Sequence, residues 1–229
     1  LLLARVPAVG FAVFELRPAE PGPAPSGPLE VEGRVLESPR YRVELNAAGD
    51  VASVFDRTLE QELLAGPIRL EVLEDSPAKW PAWEVDLADL TAPPRAVVSS
   101  PARLEVVESG PVRVAVRVTR QALGSTFVQT VRLAAGGAGG RVELDTVVDW
   151  RTTGALLKAA FQLAAASESA TFDLGLGTIE RGVSTEKLYE VLAQRWVDLA
   201  DPTRGLGVAI LNDSRYGWDH PDPATLRLT

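Results

Sequence analysis

Few residues in this chain have types and spacings that could break a bond. There is one histidine, His220, so a histidine-based triad or metal site would have to be built around it alone. It lies in Asp219-His220-Pro221-Asp222-Pro223, with no HxH, HxxxH or HxxE spacing nearby, and the stretch reads as a solvated turn. Carboxylate pairs that work as acid and base on a glycosidic bond must face each other at about 5 to 10 Å. Glu84 and Asp86 would share a strand face, and Asp213 and Asp219 bracket a glycine-containing loop. With 31 acidic residues, however, such pairs arise by chance. No catalytic residue and no metal ligand is assigned to this chain.

The tryptophans are more informative. Trp150 and Trp196 alternate with apolar strand residues, which predicts core packing. Trp80 and Trp83 flank Pro81 in Ser76-Pro77-Ala78-Lys79-Trp80-Pro81-Ala82-Trp83-Glu84, where no periodicity accounts for a large flat side chain. Such rings either anchor a loop or pack against the C–H faces of sugars while nearby acids take the hydroxyls. A second cluster, Leu211 through Asp219, brings an amide, carboxylates, a guanidinium, a phenol and an indole together after the buried-looking stretch Leu206 to Leu211. Loops at strand ends often carry function, although Asn212 and Asp213 could equally make a turn, with Arg215 paired to Asp213. Trp80, Trp83, Asp213 and Tyr216 are therefore the candidate binding residues.

The elements that must position them repeat with a period near two. Tyr41 to Leu45 and Val51 to Phe55 flank Asn46-Ala47-Ala48-Gly49-Asp50, which predicts a hairpin. Ile68 to Leu73, Ala102 to Glu108, Val112 to Arg120, Thr126 to Leu133 and Arg141 to Val148 continue the pattern. In Val112 to Arg120 the valines take one face and the arginines the other, the mark of a strand with one wet side. Thr58 to Leu64 could form a single helical turn. Ala155 to Ala166 has helical propensity, yet its all-β surroundings favour a strand over Leu156 to Leu163. The expectation is an all-β protein, a large antiparallel β-sandwich. Phe11 to Leu16 reads as a strand, and the five prolines of Pro18 to Pro28 as a linker. Residues 1–27 are thus expected to be the last strand of a truncated small β-domain plus linker, and 28–229 the main domain.

Composition narrows the function classes. The absence of cysteine excludes a zinc finger, an iron–sulfur protein, a thiol enzyme and a disulfide scaffold. A net charge of −8 repels phosphate, so no nucleic-acid partner is expected. The most apolar window, Gly154 to Ala166, is interrupted by Lys158 and Gln162 and falls short of the roughly 20 residues that cross a bilayer. The chain contains no methionine and begins Leu1-Leu2-Leu3, which suggests a piece of a longer protein; 20 arginines against three lysines suggest a GC-rich genome.

Five ordered segments carry a family resemblance. Val6-Pro7-Ala8-Val9-Gly10-Phe11, Trp80-Pro81-Ala82-Trp83, Leu176 through Ser184, Arg195-Trp196-Val197-Asp198-Leu199-Ala200 and Gly207 through Asp219 are similar to successive motifs in the C-terminal region of glycoside hydrolase family 38 α-mannosidases, particularly the cytosolic and bacterial branch. The departures are Pro81 in place of an acid, Gln162 in place of a proline after Lys158 and Phe161, and Ser214 and Arg215 in place of cysteine and lysine.

The resemblance implies a supersandwich of galactose-mutarotase-like kind that is non-catalytic in itself. It supports an N-terminal catalytic barrel and lines the rim of a mannose pocket with Trp83 and the Asp213 to Tyr216 loop. It further implies a retaining α-mannosidase as parent, with an aspartate nucleophile, an acid/base carboxylate and a divalent metal, usually zinc, all outside this chain. The implied setting is cytoplasmic; the implied partners are the protein's own catalytic domain and an α-mannoside, and a homo-oligomeric parent is left open. A free carbohydrate-binding module is the alternative.

Overall fold

A computed structural model describes residues 1–18, 26–81, 83–99 and 102–229. The first 18 residues form no strand and leave Val9, Phe11 and Val13 almost wholly exposed. The strand expected at Phe11 to Leu16 is therefore absent, because no second strand lies alongside to take its backbone hydrogen bonds. Much of the expected linker, residues 19–25, lies outside the described residues, as does Ala82.

The alternating patterns then become short strands. β1 (Glu30–Glu32), β2 (Val35–Glu37), β3 (Tyr41–Leu45), β4 (Val51–Asp56) and β5 (Gln61–Glu62) form an antiparallel meander. The predicted β3–β4 hairpin is present, and Gly49 supplies the positive φ of +80° that its turn requires. Thr58 to Leu64 is not helical: it turns, then pairs β5 with β4. β6 (Arg69–Glu74) leads through a loop carrying α1 (Leu87–Thr91) to β7 (Ala96–Val97). β8 (Arg103–Ser109), β9 (Arg113–Ala122), β10 (Ser125–Ala134) and β11 (Glu143–Asp149) form a second meander.

β12 (Ala155–Gln162) is a strand, as its surroundings implied, paired to β6. β13 (Ser169–Asp173), β14 (Thr178–Gly182), β15 (Val191–Leu192), β16 (Trp196–Asp201), β17 (Leu206–Leu211), β18 (Gly217–Asp222) and β19 (Thr225–Leu228) complete the chain. β17 is a sheet edge with Leu211 exposed, not the buried strand its composition suggested.

A single large β-sandwich does not form. The strands divide among four sheets, ordered β1-β2-β3-β4-β5, β11-β10-β9-β8, β15-β18-β19-β12-β6-β7 and β14-β13-β16-β17, set in a four-bladed, propeller-like ring. The physical reason is that a period of two records only that each strand has a buried side, and not which strand it pairs with. One core serves all four sheets, with Leu36 and Val43 from the first, Val116 and Val131 from the second, Leu226 from the third, and Phe172 and Val197 from the fourth.

Arg120, expected on a wet face, is 1% exposed. Its Nη1 pairs with Asp50 Oδ1 at 2.5 Å and donates to the Val98 carbonyl at 2.8 Å. Arg120 has the same parity as Val114, Val116 and Val118 and so lies on the inward face of β9, which overturns the wet-face reading, while Arg117 on the opposite face is exposed. Of the two tryptophans expected in the core, Trp150 packs edge-on against Phe127 with ring centroids 6.3 Å apart, and Trp196 is half-buried.

Candidate functional site

The six-stranded sheet has one face paved with charge. Its register sets Glu71 beside Lys158, and in the next row sets Arg69, Ala160, Arg227 and Asp219 side by side. Lys158 is the lone cation in the most apolar stretch of the chain. A strand must then aim it either into the core or at partners, and here Nζ reaches Glu190 Oε2 at 2.5 Å, Thr229 Oγ1 at 2.7 Å and Asp219 Oδ1 at 3.1 Å, with the side chain fully buried. Arg227 grips the same Asp219 through Nε at 2.9 Å and through Nη2, and also donates from Nη2 to the Leu90 carbonyl of α1 at 2.9 Å. Burial works against the Arg227 charge, but Asp219, helped by Glu71 and Glu190, outweighs it and holds the guanidinium above its ordinary range.

Two loops lie over this face. The first, from β6 to β7, turns tightly at Trp80, whose carbonyl accepts from the Trp83 and Glu84 amides at 2.7 and 3.0 Å. Glu84 and Asp86 therefore do not share a strand face; Asp86 precedes α1. The second, from β14 to β15, closes on itself through Thr185 and Leu188 and ends in Tyr189 and Glu190. Between the loops and the sheet is a cleft of about 400 Å³, lined by Glu71, Leu90, Tyr189, Asp219 and Arg227 among others. A shallower groove of about 320 Å³ adjoins it, lined by Trp83, Glu84, Val85, Lys187, Tyr189 and Glu190. Tyr189 borders both.

The candidate residues fall unevenly around this arrangement. Trp83 stands 86% exposed at the groove. Trp80 is also exposed, with a left-handed φ of 55°, but lines neither cavity. Asp213 and Tyr216 lie on another exposed loop, just before β18, and share no cavity with Trp83. That loop is closed by Asn212, whose amide nitrogen donates to the Gln194 carbonyl at 3.2 Å and to the Arg215 carbonyl. Ser214 Oγ donates to Asp213 Oδ1 at 3.0 Å, and no ion pair joins Asp213 to Arg215 among the described residues. Asp219, once a candidate acid partner for Asp213, is buried and committed to two cations.

His220 departs furthest from its reading as a solvated turn. It is 1% exposed within β18, and neither ring nitrogen has a hydrogen-bond partner among the described residues. Burial pushes its imidazole below the usual value, against the pull of the Pro223 backbone and of Asp222, Glu168 and Asp219. Among the described residues no group of three or more His, Cys, Asp or Glu is placed to hold a metal ion. No helix there is long and apolar enough to cross a membrane.

Sequence reasoning missed Lys158, Glu190, Tyr189 and Arg227 as site residues. The signal available was an isolated charge at an inward position of an apolar strand, which must find a countercharge.

Residues 36–229 match the family described as Glycosyl hydrolases family 38 C-terminal domain. The chain belongs to that family. Alpha-mannosidase 2C1 of Mus musculus is 29% identical over 232 residues, covering 95% of this chain, which spans 22% of that protein. Two solved structures from Enterococcus faecalis share the fold at 12% identity: a protein of glycosyl hydrolase family 38, with a TM-score of 0.69 over 90% of this chain and 27% of its own, and an alpha-mannosidase, with 0.70 over 89% and 26%. As a family 38 C-terminal domain, the chain is thus similar to about a quarter or less of each relative's length.

Proposed function

We propose that this chain is the non-catalytic C-terminal part of a retaining α-mannosidase, supporting a catalytic barrel encoded elsewhere in the polypeptide and contributing to the rim of its mannose pocket. The observation that carries this reading is likeness to Alpha-mannosidase 2C1 along almost the whole chain but only 22% of that relative. In this reading residues 28–229 are the C-terminal mannosidase domain and residues 1–27 end a preceding small β-domain; the exposed apolar side chains of Val9, Phe11 and Val13 support the latter, since they bury nothing here.

The rim is assigned to Trp83 and Trp80 on one loop and Asp213 and Tyr216 on the other. An exposed indole offers a flat apolar face to sugar C–H groups, while Glu84, Lys187 and Glu190 beside Trp83 can exchange hydrogen bonds with hydroxyls. The nucleophile, the acid/base carboxylate and a divalent metal, zinc in the usual case, belong to the catalytic part. Among the described residues no group of three or more His, Cys, Asp or Glu is placed to hold that metal. A cysteine-free chain with net charge −8 fits a cytoplasmic bacterial-type protein with no nucleic-acid partner.

The test compares this chain with the full-length protein on an aryl α-mannoside with zinc present. The chain alone should show no turnover and the full-length protein robust turnover; activity from residues 1–229 alone would refute the reading. Trp83→Ala in the full-length protein should lower kcat/KM about tenfold, corresponding to about 1.4 kcal/mol of lost stacking. The exposure of Trp80 and Trp83 also favours a second reading, a free carbohydrate-binding module, which predicts a saturable fluorescence change when the chain alone is titrated with mannose.

A further inference from the structure

We infer that Asp219, Lys158 and Arg227 are positioning residues that hold the two groove loops in register with each other. The connection is continuous. Glu190, at the root of the β14–β15 loop, bonds to Lys158 Nζ at 2.5 Å. Lys158 bonds to Asp219 at 3.1 Å, Asp219 is clamped by Arg227 Nε and Nη2, and Arg227 Nη2 donates to the Leu90 carbonyl of α1 at 2.9 Å. Leu90 lies seven residues after Trp83 on the other loop. Thr229 closes a side branch, donating from Oγ1 to Glu190 Oε1 at 2.7 Å while it accepts from Lys158.

The geometry makes Asp219 the common member. It is 2% exposed; Arg227 faces it from the adjacent β19, and Lys158 reaches it from β12, one strand further on. Of the four charged members, Glu190 is the one that belongs to the β14–β15 loop and Arg227 the one that bonds to α1. Removing the Asp219 charge leaves two buried cations to share Glu190 and Glu71, so both ends of the connection loosen together. Removing an end member frees only its own loop. A network that merely stabilised the sheet would lack this selectivity, because its loss would be felt along β6, β12 and β19 as well.

Hydrogen exchange of the full-length protein, read by segment, tests this without any substrate. Asp219→Asn should speed exchange about tenfold in both 84–92 and 184–190 while β6, β12 and β19 keep their protection, since charge-assisted hydrogen bonds are what those segments lose. Arg227→Lys, which cannot hold Asp219 and the Leu90 carbonyl together, should loosen 84–92 alone, and Glu190→Gln should loosen 184–190 alone. If Asp219→Asn does not fold, the two end variants decide the matter. The inference is overturned if either end variant loosens both loops or neither, or if exchange rises evenly across the sheets.

A kinetic arm rests on the mannosidase reading: Asp219→Asn should raise KM for an α-mannoside with kcat within about twofold, because only rim geometry has changed. Selective loosening with an unmoved KM would refute the rim assignment and leave the positioning role standing.

Discussion

At the scale of single residues, the chain spends burial on groups that rarely tolerate it. His220 is the clearest case. Its ring is enclosed, and neither nitrogen has a hydrogen-bond partner among the described residues. Its folded-state pKa lies below the unfolded value of 6.5, so at pH below about 6.5 the unfolded chain binds the extra proton. The stability contributed by keeping this ring neutral is therefore full above pH 6.5 and declines as the medium is acidified. Urea unfolding between pH 5 and 8 should show this decline, and His220→Phe should flatten the part of it due to this residue. At pH 8 the same variant should cost less than about 1 kcal/mol, because it also removes two unpaired buried nitrogens.

At the scale of elements, the β3–β4 hairpin shows how a short turn can decide a sheet. Asn46 Oδ1 accepts from the Asp50 amide at 3.0 Å, and Asp50 in turn holds the buried Arg120 of the second sheet. Gly49 lies between them with a positive φ, and a Cβ there would collide with Val118 Cγ1. Gly49→Ala should therefore destabilise the protein by about 1–3 kcal/mol, through backbone strain and overpacking together. Thermal unfolding would measure it, and Gly124→Ala is the control, since it has a similar φ of +81° but open space around the added carbon.

At the scale of the whole molecule, four sheets converge on one hydrophobic cluster, so no sheet can leave without exposing the buried faces of the others. Denaturant unfolding should then be a single transition, with coincident midpoints by far-ultraviolet circular dichroism and by tryptophan fluorescence. Separate midpoints would show that the ring is divisible. Read from sequence alone, the all-β class, the β3–β4 hairpin, the alternating stretches that became β9, β10 and β11, a strand over Leu156 to Leu163 and the family were all legible. Alternation, turn residues and ordered motifs are local signals, written in consecutive positions. The division into four sheets, the burial of His220, and the convergence of Lys158, Glu190, Asp219 and Arg227 were decided only in three dimensions. Lys158 and Asp219 are 61 residues apart in the chain. Their meeting depends on strand order and register, which arise from pairings between distant segments that no local pattern specifies.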